Sequence, residues 1–273
     1  MEKTLFTGNC IEVKELKHGV KKIILNRPDI RNAFNETMIK EIIHVLDLLK
    51  KIQNINEMRL LLIEGSGKVF CAGADLSYMK ALADKQREEN LADATLLAQM
   101  FYDFVSFPTP VISLVHGAAI GGGFGLVACS DFVLAEDNTI FATSEVLLGI
   151  VPAVISPYII RKIGIAFASP LLLSGKKYSA QECLNIGLIN KVTDKESFNS
   201  EVDNLISTFL LAAPHAVRTT KELIRNAYPL PEQTQIQFTI EKIAFARASQ
   251  EGKAGLSAFF DKKNPYWCDG IPK

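Results

Sequence analysis

Two short, nearly unbroken apolar runs, Met58–Glu64 and Val111–Val115, constrain this chain more than any other feature. A strand that is apolar at almost every position has to be buried on both faces, as in a parallel sheet covered by helices. Both runs end in small residues. The first leads through Gly65–Gly67 to Val69-Phe70-Cys71-Ala72-Gly73-Ala74-Asp75. The second leads through His116-Gly117 to Gly121-Gly122-Gly123, with a helical pattern from Phe124. Ahead of them, Ile11–Leu16 and Val20–Leu25 flank Lys17-His18-Gly19 like a hairpin. Asn35 is placed to N-cap a helix with Met38, Ile42, Leu46 and Leu49 on one face, and Phe34 and Ile39 sit at the staple positions. Helix formers fill 81–107 until Pro108 and Pro110. Phe132–Ala135 and Ile140–Ala142 read as further strands. This alternation predicts an α/β fold.

After about Glu201 the strand signals stop, and helices are expected at 201–212, 215–227, 232–248 and 251–260. A boundary near residue 200 divides a core, 1–200, from a helical region, 201–273. Lys+Arg and Asp+Glu balance at 30 each, so there is no basic field for nucleic acid and no polybasic membrane patch. The apolar runs fall short of the ~20 residues that cross a bilayer, and the first eight residues carry no secretion or organelle signal. Five scattered cysteines, Cys10, Cys71, Cys129, Cys183 and Cys268, read as reduced thiols. A cytoplasmic protein is expected.

Gly121–Gly123, between a buried strand and a helix, fits two readings. It is a tight turn, or a place where free helix N–H groups meet a developing oxyanion; its spacing is not a dinucleotide fingerprint. Cys71–Asp75 has the same character, with a plain loop as its other reading. Glu145 lies among apolar Phe141, Val146, Leu147 and Leu148. Such neighbours raise a carboxyl pKa toward neutrality and suit proton transfer; a surface glutamate or a helix-cap partner is the alternative. The histidines form no constellation. His18, His44 and His215 lie apart, and His116 beside the glycine loop suits packing or a hydrogen bond to that loop more than catalysis. There is no GxSxG elbow and no metal-ligand spacing.

Together the two small-residue loops resemble the enoyl-CoA hydratase/isomerase (crotonase) family. Phe70-Cys71-Ala72-Gly73-Ala74-Asp75 and Gly121–Gly123 match its two loop motifs. Leu25-Asn26-Arg27-Pro28 with Arg31-Asn32-Ala33-Phe34, Ser144-Glu145 with Gly149-Ile150-Val151-Pro152, and the ending Phe260–Trp267 are similar to three more, in the same order. The resemblance covers about residues 11–267. It implies a crotonase-like (ClpP/crotonase) spiral of ββα units, with C-terminal helices that assemble trimers or hexamers. It implies an acyl-CoA thioester as substrate and no separate cofactor, coenzyme A being part of the substrate. The N–H groups of Ala74 and Gly122 would form the oxyanion hole, with Glu145 as the proton carrier. Ala33, Ala72, Asp75, Leu76 and Gly121 would hold the substrate. Phe260 and Lys263 would touch coenzyme A, that of a neighbouring subunit.

Two departures bear on the reaction. The best-known hydratases carry a second glutamate two residues after the triple glycine, where this chain has Gly125. A single glutamate resembles the arrangement of enoyl-CoA isomerases, yet one carboxylate can also deprotonate water and return the proton. The segment Val151–Tyr158 resembles bacterial methylglutaconyl-CoA hydratases. The expectation is therefore a hydratase of a methylglutaconyl-type thioester, with a Δ3,Δ2-enoyl-CoA isomerase or a non-catalytic acyl-CoA-binding protein as alternatives. Such a substrate has a distal carboxylate that needs a cation, for which Arg161 is the nearest candidate by sequence, though a surface arginine is the plainer reading of it.

Overall fold

The structure, a computed structural model, describes residues 2–227 and 233–263. Its main sheet has seven strands: β1 (Lys3–Thr7), β2 (Ile11–Glu15), β3 (Val20–Leu25), β4 (Leu60–Gly65), β5 (Val111–Val115), β7 (Phe132–Glu136) and β10 (Lys191–Thr193), side by side in that order. β1, β2 and β3 pair antiparallel, and from β3 onward the pairing is parallel. The Ile11/Val20 hairpin is thus present, and β1 adds an edge strand to it.

The period of two along a strand explains the unbroken apolar runs. Leu61 and Ile63 of β4 join the large core cluster on one face, while Leu60 and Leu62 join Val20, Ile112, Leu114 and Leu134 on the other. Helix α1 (Glu36–Lys50), capped by Asn35, whose side chain accepts from the Met38 N–H, and helix α3 (Arg87–Val105) supply the first face. Helix α7 (Phe198–Leu210) covers the second with Val202, Leu205, Ile206 and Phe209. Each fully buried Leu or Ile contributes roughly 1.5–3 kcal/mol.

A smaller sheet of β6 (Ala118–Ile120), β8 (Ile140–Ala142) and β9 (Tyr178–Ser179) runs beside the main one. The chain steps from β5 to β6 to helix α4 (Gly122–Cys129), then from β7 to β8 to helix α5 (Ser156–Ser174): strand, strand, helix. Cys71, after β4, makes an isolated parallel bridge to Ala119, and α2 (Leu76–Ala83) and α3 follow. These are turns of one ββα spiral. Helix α6 (Ala180–Asn185) leads to β10.

Beyond Thr193 the described residues form helices: α7, α8 (Pro214–Ala227), α9 (Gln233–Ala248) and α10 (Gln250–Phe260). α7 begins just before the expected boundary. α9 packs on α3, and α10 packs on α9, α2 and the turn at Ser144–Leu148. α7 turns its apolar face to the sheet, whereas α9 places Ile240, Ile243 and Ala246 in the core and leaves Phe238 and Phe245 exposed. Among the described residues no helix is long and apolar enough to cross a membrane. Cys10, Cys71, Cys129 and Cys183 are buried free thiols; Cys268 lies outside the described residues.

Candidate active site

The loop after β4 is fixed from both sides. Asn32, fully buried, donates to the carbonyls of Ser66 at 2.8 Å and Val69 at 2.9 Å, and accepts from the Arg27 N–H at 2.9 Å. Arg27 donates to the Ala33 carbonyl at 2.6 Å and the Asp75 carboxylate at 2.9 Å. The backbone completes the hold: Ala72 donates to Arg31, Phe34 to Gly73 and Asp75 to Phe34. Burial opposes ionisation of Asp75, but donors from Ser77 and Arg27 outweigh it and keep that carboxyl below its usual range. Ala74 sits amid these bonds, and its own N–H has no acceptor among the described residues.

The glycine loop meets this segment directly. Cys71 donates to the Ala118 carbonyl and Ile120 to the Cys71 carbonyl, both at 3.0 Å. A Cβ on Gly73 would lie 3.1 Å from the Ile120 oxygen and 3.9 Å from the Gly121 Cα. Gly121 has φ 51° and ψ −115°, a conformation glycine adopts without a steric penalty. Gly122 follows as the first residue of α4, so its N–H has no partner within the helix, and none elsewhere among the described residues.

β8 delivers the acid. It pairs with β6 so that Ala142 lies opposite Ile120, and the Gly121 N–H donates to the Ala142 carbonyl at 2.9 Å. Three residues on, in a 3-10 turn, Glu145 lies beside Gly121; a Cβ on that glycine would stand 3.2 Å from Glu145 Oε1. Oε2 is buried without a hydrogen-bond partner among the described residues, and burial pushes the carboxyl up to about 7.

These groups line one cavity of about 430 Å³. Its walls are mainly apolar, with Ile39, Leu97, Ile155, Ile243 and Leu256 among them, and polar groups enter at few places. Of the residues expected from sequence, Ala72, Ala74, Leu76, Gly121, Gly122, Glu145 and Lys263 line it. Ala33 and Asp75 do not: Ala33 is buried, with its carbonyl accepting from Arg27, and Asp75 faces Arg27 and Ser77. Phe260 is also absent from the wall; its neighbour Phe259 takes that place. Lys263 stands at the cavity wall. The remainder of that ending, 264–267, lies outside the described residues. The cavity also draws on both sides of residue 200.

Arg161, on α5, is not part of the wall. His116 stays outside too; its Nε2 is bonded at 3.1 Å to the Gly67 carbonyl, in the loop after β4 rather than in the Gly121–Gly123 loop beside which it stands in sequence. At Gly125 a Cβ would meet Ile155 at 2.4 Å and Phe101 at 2.8 Å, so packed side chains already fill the space of a second glutamate. Sequence reasoning missed the role of Asn32, which ties its own loop to the one after β4, and a cluster of Tyr78, Asp93 and Arg247 in the wall. Neither has a local signal, because their partners lie far away in sequence.

The sequence profile of the family described as enoyl-CoA hydratase/isomerase matches residues 15–270. The chain is 32% identical over 257 residues to crotonyl-CoA hydratase of Syntrophomonas wolfei, covering 93% of this chain and 96% of that one. It is 27% identical over 250 residues to trans-2-decenoyl-acyl-carrier-protein isomerase of Streptococcus mutans, covering 91% and 94%. The crystal structure of an enoyl-CoA hydratase from Shewanella pealeana matches with a TM-score of 0.76 at 37% identity, over 95% of this chain and 96% of that one.

Proposed function

Because the chain belongs to the enoyl-CoA hydratase/isomerase family, with the fold of that family, we propose that it is a hydratase adding water across the double bond of an α,β-unsaturated acyl-CoA of the methylglutaconyl-CoA type. One observation carries the reading. A buried carboxyl with a raised pKa and two unpaired backbone N–H groups line the same apolar cavity.

The thioester oxygen accepts from the N–H groups of Ala74 and Gly122. Glu145, as carboxylate, takes a proton from water while the water oxygen bonds to the β carbon. The double-bond electrons move toward the thioester, and its oxygen becomes an enolate. Backbone donors aimed at that oxygen stabilise it more than they do the neutral carbonyl, which lowers the barrier. Glu145 then returns its proton to the α carbon. Ala72, Leu76 and Gly121 shape the acyl and pantetheine path, and Lys263 suits the phosphates. Coenzyme A arrives as part of the substrate, and no separate cofactor is needed. The reading extends to a cytoplasmic trimer or hexamer working in leucine-type acid breakdown. Its methylglutaconyl element is supported by Val151–Ile155, the segment that resembles that branch, which forms cavity wall.

Isomerisation is the second reading, favoured by the filled space at Gly125. There Glu145 would take a proton from the α carbon of a 3-enoyl-CoA and return it to the γ carbon. Incubation with methylglutaconyl-CoA and with a 3-enoyl-CoA, followed by mass for water and by the ultraviolet absorbance of the conjugated enoyl thioester for the double bond, separates the two. A gain of one water supports hydration. An isobaric shift of the double bond with no hydration replaces it with isomerisation, and binding with neither change rejects both.

A further inference from the structure

The apolar wall of the cavity is interrupted at a place that the chemistry above does not use. Tyr78 on α2, Asp93 on α3 and Arg247 on α9 all line it. The Tyr78 hydroxyl donates to Asp93 Oδ1, and Arg247 donates to Asp93 Oδ2 at 2.5 Å. The two charged side chains are almost fully buried, Asp93 being 7% and Arg247 11% exposed. Both Asp93 oxygens are engaged. The guanidinium is not exhausted: the bond to Asp93 uses one of its N–H groups, and the others have no acceptor among the described residues.

Stability alone does not account for such a pair. Taking two charges out of water costs about as much as their attraction returns, and well-packed apolar residues of similar volume do as well or better. An arginine that lines an otherwise apolar cavity and has donors left over from its ion pair suits recognition, since a few placed polar groups in an apolar pocket set orientation and specificity. Planar guanidinium presents two edges and can bridge two carboxylates. Asp93 holds one edge, and its charge is spread between Arg247 and Tyr78, which leaves the other edge for a second anion. Lys263, the other cation in the wall, is 76% exposed and is a flexible point charge, unlike the fixed fork of Arg247.

We propose that Arg247 is a specificity-determining residue that receives a carboxylate at the distal end of the acyl chain, with Asp93 and Tyr78 as the residues that position it. This rests on the acyl-CoA reading of the cavity and deepens it, because it names the group that selects a dicarboxylic over a plain acyl thioester.

The test compares crotonyl-CoA with glutaconyl-CoA, which share the conjugated double bond and differ in the terminal carboxylate. Wild type should prefer glutaconyl-CoA in kcat/KM. In Arg247→Met that preference should fall about 10- to 150-fold, the range of a charge-assisted hydrogen bond, with the change in KM rather than kcat. Removing the arginine alone strands Asp93, so the double variant Asp93→Leu/Arg247→Met, which removes both charges, is measured alongside; its preference should fall likewise. A wild type that favours crotonyl-CoA, or a preference unaltered in both variants, overturns the assignment while leaving the hydratase reading intact. If neither thioester is hydrated, that reading fails instead. Calorimetric binding of the same two thioesters then decides the role of Arg247: selective loss of glutaconyl-CoA affinity supports it, and equal loss or none rejects it.

Discussion

Glu145 is held at a cost that its surroundings do not offset. Among the described residues no donor satisfies its Oε2, and its pKa in the folded chain is raised from 4.5 to about 7. Between those two values the folded state keeps a proton that the unfolded state has released. Stability therefore falls as pH rises through this window and levels off above about 7. Glu145→Gln removes the titration. In urea unfolding it should match wild type below pH 4.5 and exceed it above pH 7, by up to about 3 kcal/mol. The same change should lower kcat about 10²- to 10⁴-fold and abolish the acid limb that wild-type kcat/KM should show below pH 7. Equal stability of the two proteins at pH 8 would mean that the carboxyl is not desolvated. Asn32 acts in the opposite sense. It satisfies two carbonyls and one N–H in a place that water does not reach. Asn32→Ala leaves those groups unpaired and should cost on the order of 3 kcal/mol, read from the urea midpoint, and loosen the loop that carries Ala74.

The N-terminus of α4 does its work through backbone, so side-chain deletion cannot probe it. Gly122→Pro removes the N–H, but any Cβ there would stand 2.7 Å from the Phe34 ring. Gly122→Ala is therefore the control, since it adds the same Cβ and keeps the donor. Both should lose some thermal stability, and Gly122→Pro should lose a further ~100-fold or more in kcat. Equal rates in the two variants would mean that this N–H does not hold the oxyanion. The elements around this site differed in how legible they were. α1, β4, β5 and the helix after the triple glycine were readable because an apolar period, a cap or a glycine break marks each. β6, with three residues between glycine-rich neighbours, has no pattern of its own; its partner β8 and Cys71 define it. α5 was hidden by Pro157, Gly164 and Pro170, and Gly164 indeed has a non-helical φ of 73° inside it. The loop motifs and Glu145 were legible through family resemblance. The Tyr78–Asp93–Arg247 cluster was not, because its helices meet only after the C-terminal region folds back over the core.

That fold-back shapes the whole molecule. α9 and α10 close the cavity and α7 turns its apolar face to the sheet, while Phe238 and Phe245 of α9, 59% and 71% exposed, stay at the surface. Leu211, Leu223 and Ile224 are exposed as well, at 88%, 61% and 56%, and Ile224 lines a groove with Phe209, Ala216 and Val217. Large apolar side chains left at the surface suit association, and the resemblance to the family implies a trimer or hexamer. Sedimentation should accordingly give three or six times the 30.1 kDa of one chain. The double variant Leu223→Glu/Ile224→Glu puts charge on that surface and should shift the protein toward single chains. Single chains that still bind an acyl-CoA thioester would show that one chain's residues suffice, while a loss of binding that tracks dissociation would show that a neighbouring subunit completes the cavity. A variant that sediments like wild type would place the contact on another surface, with the exposed Ile165, Phe167 and Leu173 of α5 next to be charged.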